Sequence, residues 1–314
     1  MDRRPLGRSE LVIEPLVLGG NVFGWTVRDE ATAFAILDAF AEAGFTALDT
    51  AEGYPNWVPD NPPGMSETMI GNWLKARGNR DAMHIITKVN SSRQPGGLKP
   101  DAIKTSVEAS LKRLQTDYID LYFSHWPDAS ATHEETLEAY DVLIRSGKVR
   151  VIGASNYTAP MLVEAQETAI IKSLQRYEVV QPKYNLYDRQ EFEGPLQDYV
   201  LENDVGAIVY SSLAAGFLTG KYRSKDDFGA SPRGGGVSHY LDAKGRRILD
   251  ALDTVGAANE ATPAEVALAW LVAQPGVTAP IASATSVEQV QSHARGVRLK
   301  LADEELAQLT AAGR

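Results

Sequence analysis

The sequence predicts an α/β protein, a closed (β/α)8 barrel preceded by an N-terminal β-hairpin. Three observations carry this reading. Eight short apolar runs follow one another along the 314 residues, with segments of helical period between them. The runs lack apolar–polar alternation, as expected of parallel strands buried on both faces. No GxGxxG follows the first run, which disfavours a doubly wound open sheet, the main alternative for such an alternation. The length suits one barrel domain spanning residues 1–314, and no repeat or linker marks a boundary.

The elements follow in order. Residues 4–13, with Gly7-Arg8 in their middle, read as a hairpin that plugs the barrel bottom, and residues 12–20 as a first strand ending in glycines. Residues 29–44 form a helix with Asp29 as N-cap and Gly44 just past its end. Residues 46–50 are the second strand, followed by a loop rich in Pro, Asn and Gly through Met65; Ser66-Glu67 then opens a helix to Arg77. Strands at 84–89 and 118–124 precede helices at 99–114 and 132–146, the latter capped by Gly147. Strands at 149–153 and 178–181 precede helices at 159–173 and 195–203. The seventh strand is 207–210, with two helical stretches between Asp242 and Gln274; the eighth is 277–281, with a helix at 287–294. Residues 223–239 are too long and glycine-rich for a tight barrel connection and read as a mobile flap, with plain disorder as the alternative.

Composition narrows the function. Apolar residues at 44% and charged residues at 23% describe a globular chain with a large core. The absence of cysteine excludes disulfides, thiolate metal sites and cysteine nucleophiles, and fits a reducing cytoplasm. A net charge of −10 without a dense Lys/Arg run disfavours nucleic acid or an anionic membrane as partner. With no apolar run near membrane-span length and no apolar stretch behind residues 1–5, the chain reads as soluble and cytoplasmic. The five histidines are scattered without ligand spacing, so no metal is expected; His133-Glu134-Glu135 reads as helix N-terminal polarity.

In a barrel, the C-terminal ends of the strands converge on one mouth. Asp49 closes the second strand, Lys88 the third, and His125 follows the fourth, while Tyr54 lies just past Asp49. Singly, each has an ordinary reading: a loop cap, a surface lysine, a core histidine, a packed tyrosine. Together they are complementary. A phenol titrates near ~10, and a neighbouring ammonium lowers that value, a role open to Lys88. Asp49 holds Lys88 charged, and His125 directs a carbonyl oxygen by hydrogen bonding. The set suits proton donation to an oxygen gaining negative charge.

The run Leu48-Asp49-Thr50-Ala51-Glu52-Gly53-Tyr54, with Ser66-Glu67 and Ile70-Gly71, resembles the aldo-keto reductase signature. So do Thr87-Lys88, the stretch Asp117-Tyr118-Ile119-Asp120-Leu121-Tyr122 leading to His125, and Gly147-Lys148-Val149-Arg150 leading to Gly153-Ala154-Ser155-Asn156. The likeness continues through Gln181-Pro182-Lys183-Tyr184-Asn185 and Tyr210-Ser211-Ser212-Leu213 to Gly220-Lys221, nearly the whole chain in order. The resemblance implies reduction of aldehydes or ketones by hydride from a nicotinamide cofactor. Tyr54 would be the general acid, tuned by Lys88 and Asp49, with His125 positioning the carbonyl. Ser155, Asn156 and Gln181 would bond the carboxamide, and Tyr210 would stack on the nicotinamide. Ser211, Leu213 and the loop from Gly216 to Lys221 would lie along the pyrophosphate; Gly20, Asn21, Asp49 and Gln289 join the expected cofactor contacts.

One departure bears on the cofactor. Where the family often carries Lys or Arg to clamp the 2′-phosphate of NADP, this chain has neutral Ser283 and Thr285, and His293 stands where an Asn commonly meets adenine. NADP(H) is therefore expected with a reduced preference over NAD(H). Trp57, Trp126, Trp25 and the loop at 59–65 form an expected aromatic rim for a small carbonyl substrate such as a sugar or an aromatic carbonyl. Two other readings stay open: a redox-sensing NADP-binding regulatory subunit with vestigial activity, and a phosphate-binding barrel isomerase or lyase. The complete quartet argues against the first, and the second leaves Tyr54 and Lys88 without a role.

Overall fold

The computed structural model describes residues 2–59, 61–231 and 234–314. Strands β1 (Arg4–Pro5) and β2 (Val12–Ile13) pair antiparallel as the expected hairpin. Eight parallel strands then close into a barrel: β3 (Val17–Gly19), β4 (Ala47–Asp49), β5 (His84–Val89), β6 (Ile119–Ser124), β7 (Val149–Ser155), β8 (Val179–Gln181), β9 (Gly206–Val209) and β10 (Ala279–Ala282). Each lies beside its chain neighbour, and β10 pairs with both β9 and β3. This is the TIM-barrel architecture the alternation predicted.

Among the described residues, ten α-helices accompany the strands: α1 (Glu30–Glu42), α2 (Met65–Arg77), α3 (Pro100–Leu114), α4 (His133–Arg145), α5 (Ala159–Lys172), α6 (Pro195–Glu202), α7 (Ala243–Ala258), α8 (Pro263–Ala273), α9 (Val287–Gly296) and α10 (Asp303–Ala312). Their starts obey local chemistry. The Asp29 carboxylate accepts from the Thr32 amide, and Thr132 and Glu135 form a reciprocal capping box. His133-Glu134-Glu135 is thus the first turn of α4, as read from the sequence.

The expected first strand, 12–20, is two pieces. Val12–Ile13 belongs to the hairpin and Val17–Gly19 to the barrel, with Glu14-Pro15-Leu16 turning between them. Pro15 has no amide hydrogen to give a ladder, so the run breaks there. The hairpin does cap the interior. Leu6, Leu11 and Ile13 are buried in one cluster with Val17, Ala47, Ile86, Leu121, Val151, Val179, Ile208 and Ala279 from the strands. Gly7 fits by a left-handed backbone (φ 63°) and because a Cβ there would stand 2.3 Å from the Glu178 carbonyl oxygen.

The two-residue period of the strands fixes where the chemistry falls. The side chains that fill the barrel are Val17, Ala47, Ile86, Phe123, Val179, Ile208 and Ile281. Two positions further along the same strands stand Gly19, Asp49, Lys88, His125, Gln181, Tyr210 and Ser283. The inward layer changes from apolar to polar at the C-terminal rim on six of these seven strands, and at β3 it ends in Gly19.

The segment expected as a flap is built of short 3-10 turns at Lys225–Ala230, Gly234–Gly236 and Ser238–Tyr240. Val237 and Tyr240 are buried, and the Tyr240 ring stacks on Phe217 at 5.4 Å. Pro232 and Arg233 of this segment, and Asp60 of the loop at 59–65, lie outside the described residues. Among the described residues, no helix is long and apolar enough to cross a membrane.

Candidate active site

The C-terminal rim opens into a cavity of 1390 Å³. Tyr54, Asp49 and His125 line it, as do Trp25, Trp57 and Trp126. Its wall continues through Asn21, Ser155, Asn156, Gln181, Tyr210, Ser211, Leu213, Gly216 and Lys221 to Ser283, Thr285, Gln289 and His293. Two expected residues stand apart. Lys88 is fully buried beneath the floor, and Gly20 turns toward α2, where its carbonyl accepts from the Ser66 hydroxyl at 2.8 Å. Its neighbour Gly19 lines the wall in its place.

The floor is a chain of charge-assisted bonds. Lys88 Nζ donates to Asp49 Oδ1 at 2.7 Å and to the Thr50 carbonyl at 2.6 Å. Gln181 Nε2 donates to the other Asp49 oxygen at 2.9 Å. The ammonium lies 5.0 Å from the centroid of the Tyr54 ring, and the Tyr54 and His125 rings are 5.7 Å apart. Burial pulls the Lys88 ammonium below its ordinary value, against the opposing pull of Asp49.

Tyr54 departs from expectation. Burial, and then the charge of Asp49, push its hydroxyl well up rather than down. Burial is the larger cause, because a phenolate enclosed in the cavity floor loses its hydration. The Tyr54 hydroxyl therefore keeps its proton across the neutral range. His125 moves the other way: burial, Lys88 and Arg93 hold its imidazole well below the usual histidine range, so it is neutral at pH 7.

Sequence reasoning missed the groups that hold His125. Its Nδ1 meets the Ser91 hydroxyl at 3.0 Å, and the Ser91 amide donates to Glu52 Oε1 at 3.2 Å. The other Glu52 oxygen accepts from Ser106. Asn156 Nδ2 donates to the His125 carbonyl at 2.8 Å, while Tyr210 donates to Asn156 Oδ1 at 2.8 Å. Ser155 Oγ donates to the Gln181 carbonyl at 2.9 Å. The Leu48–Tyr54 run contains Glu52, so the signal was present, but its contact with the loop after β5 is nonlocal. Asp120, in another quoted motif, sits away from the mouth, holding Arg80, Arg150 and the Ile85 amide at the opposite end of the sheet.

The far end of the cavity carries a buried acceptor. His293 Nε2 lies 3.2 Å from the Ser283 carbonyl, which only accepts, so Nε2 bears the hydrogen and Nδ1 is left as a lone pair. Nδ1 has no hydrogen-bond partner among the described residues. A buried acceptor left unpaired costs about 1–3 kcal/mol, and a donor on a bound molecule relieves it. The length of the cavity, its hydroxyl and amide wall and this acceptor fit an extended polar ligand such as a dinucleotide.

Comparison with known proteins decides the family. The model of the Aldo/keto reductase family matches residues 15–314. This chain belongs to the aldo/keto reductase family. Protein tas of Escherichia coli (strain K12) is 33% identical over 344 residues, covering 99% of this chain and 97% of that protein. Norsolorinic acid reductase stcV of Emericella nidulans is 31% identical over 315 residues, covering 95% of this chain and 77% of that one. A protein of Arabidopsis thaliana named as a probable voltage-gated potassium channel subunit beta is 30% identical over 310 residues, covering 95% and 91%. As an aldo/keto reductase the chain is an oxidoreductase by class, and its Tyr54, Lys88, Asp49 and His125 gather where a barrel of this kind does its chemistry.

Proposed function

We propose that this protein is a cytoplasmic NAD(P)H-dependent reductase of aldehydes and ketones, with Tyr54 as general acid and the whole chain acting as one barrel domain. The observation that carries the proposal is the meeting of Tyr54, Asp49 and neutral His125 on one cavity floor, with Lys88 bonded to Asp49 beneath it. Bound nicotinamide cofactor supplies the hydride. Neutral His125 donates a hydrogen bond that fixes the carbonyl oxygen, and Tyr54 passes its proton to that oxygen as charge builds. Lys88 then stabilises the phenolate left behind until solvent returns a proton. Ser155, Asn156 and Gln181 would hold the carboxamide and Tyr210 the ring face. Ser211, Leu213 and the stretch from Gly216 to Lys221 would follow the pyrophosphate, with Asn21, Ser283, Thr285, Gln289 and His293 at the adenosine end.

The test is NADPH oxidation with a panel of carbonyl compounds, alongside cofactor binding by fluorescence. Turnover supports the reductase. Binding without turnover favours the second reading, a redox-sensing subunit with vestigial activity, for which the likeness to the Arabidopsis protein speaks. No binding of either nicotinamide cofactor overturns both.

The adenosine end supports weakened selection of NADPH. Ser283 and Thr285 are neutral, α9 carries Glu288 in its first turn, and Arg295 is held by Glu265 at 2.8 Å. The kcat/KM ratio for NADPH over NADH is expected below about a hundredfold, since a guanidinium on phosphate contributes more than hydroxyls do. A larger ratio would sink this expectation.

Ser91 acts as a positioning residue in this mechanism. Its hydroxyl, donating to Nδ1, keeps the hydrogen on Nε2. Ser91→Ala is expected to lower kcat up to about tenfold, the effect of one hydrogen bond, while Ser91→Thr retains most of it. Equal loss in both variants would assign Ser91 to packing alone.

A further inference from the structure

We propose that the aromatic end of the cavity contains an anion subsite centred on Arg93, so that the best carbonyl substrates carry a carboxylate. The inference rests on the reductase reading and adds the substrate class to it. The chain has a net charge of −10. Among the described residues the cavity wall reverses that sign: its charged side chains are Arg28, Arg93 and Lys221 against one carboxylate, Asp49, which Lys88 already neutralises. Lys221 belongs to the expected pyrophosphate loop, which leaves the two arginines.

Arginines elsewhere hold carboxylates: Arg77 on Asp38, Arg80 on Asp120, Arg113 on Glu67 and Arg176 on Glu178. Among the described residues, neither Arg28 nor Arg93 makes an ion pair. Arg28 donates to the Trp25 carbonyl at 3.0 Å. The Arg93 guanidinium lies 3.3 Å from the centroid of the Trp126 ring. Stacking occupies the face of the guanidinium and leaves its N–H edge for a planar oxyanion, the geometry that favours Arg for carboxylate recognition.

Arg93 is also placed relative to the reaction. Trp126 follows His125 and stacks on it at 5.8 Å and 22°. The Arg93 amide closes a turn on the Asn90 carbonyl at 3.2 Å, and within that turn Ser91 contacts both His125 and Glu52. The turn that orients the imidazole thus also presents the cation. The field of Arg93 reaches His125 and Tyr210, depressing the first and opposing the rise of the second. An anion beyond the carbonyl meets a positive charge, while Trp126, Trp57 and Trp25 supply flat surface for the carbon skeleton.

The test compares 4-carboxybenzaldehyde with methyl 4-formylbenzoate, which have similar size and differ in charge. Wild type is expected to prefer the acid by about tenfold or more in kcat/KM. Arg93→Met brings the ratio toward one, Arg93→Lys retains part of it, and 0.5 M KCl narrows it in wild type, because the exposed guanidinium is screened. Reduction of the ester as fast as the acid by wild type, or a preference unchanged in Arg93→Met, overturns the subsite and leaves the reductase reading intact. Binding of NADPH without reduction of these or any other carbonyl compounds overturns both.

Discussion

Tyr54→Phe lowers kcat for aldehyde reduction by about 10²–10⁴-fold, the range for removing a positioned general acid, while NADPH binding changes little. The ring is retained, so its contacts with Trp57 at 5.5 Å and His125 at 5.7 Å survive and only the proton donor is lost. The raised Tyr54 hydroxyl adds a pH signature. The donor form is present throughout the neutral range, so reduction stays flat on the alkaline side up to at least pH ~9, whereas alcohol oxidation, which needs the phenolate, climbs with pH. A Phe variant within tenfold of wild type would show that another group delivers the proton.

Lys88→Met removes one half of a buried ion pair. Asp49, 3% exposed, then keeps the Gln181 amide as its side-chain partner and loses its counter-charge. Breaking a buried pair from one side costs about 3–5 kcal/mol, read as a lower urea midpoint. The Thr50 carbonyl loses its ammonium donor as well. The double variant Lys88→Met/Asp49→Asn no longer buries a lone carboxylate, and it is expected to recover much of the stability but none of the activity. A single variant that unfolds within 1 kcal/mol of wild type would mean that water reaches Asp49 and that the pair is not sealed.

Most of the barrel was legible because buried parallel strands announce themselves. His84–Val89 reads directly as an apolar run, and its inward parity places Lys88 above Ile86. The quartet was legible for the same reason, since three of its members lie at consecutive strand ends and Tyr54 follows close by. The break in the first strand falls at Glu14-Pro15, between the apolar runs Val12-Ile13 and Leu16-Val17-Leu18, which were read as one strand. Arg4–Ile13 was readable as a hairpin, but the two readings overlapped at Val12 and Ile13 and only pairing separates them. Ser91 and Arg93 were not legible: they sit in a polar loop like many others, and their partners His125 and Trp126 lie more than thirty positions away. The upward push on Tyr54 was missed because its larger cause, burial of the hydroxyl, depends on packing that no local pattern specifies. The unpaired Nδ1 of His293 depends on which carbonyl its other nitrogen meets, and no local pattern specifies that.

The closure of β10 onto β9 and β3 has a consequence for synthesis. A chain still lacking residues 279–282 has already been translated through Tyr54, Lys88 and His125, yet β3 and β9 present open edges and the wall that Ser283 and His293 complete is missing. Such edges recruit other strands, so the nascent chain is exposed to mispairing until its final strand leaves the ribosome. Function then arises in one late event, because the pocket draws on segments from Gly19 to His293 and no earlier fragment encloses it.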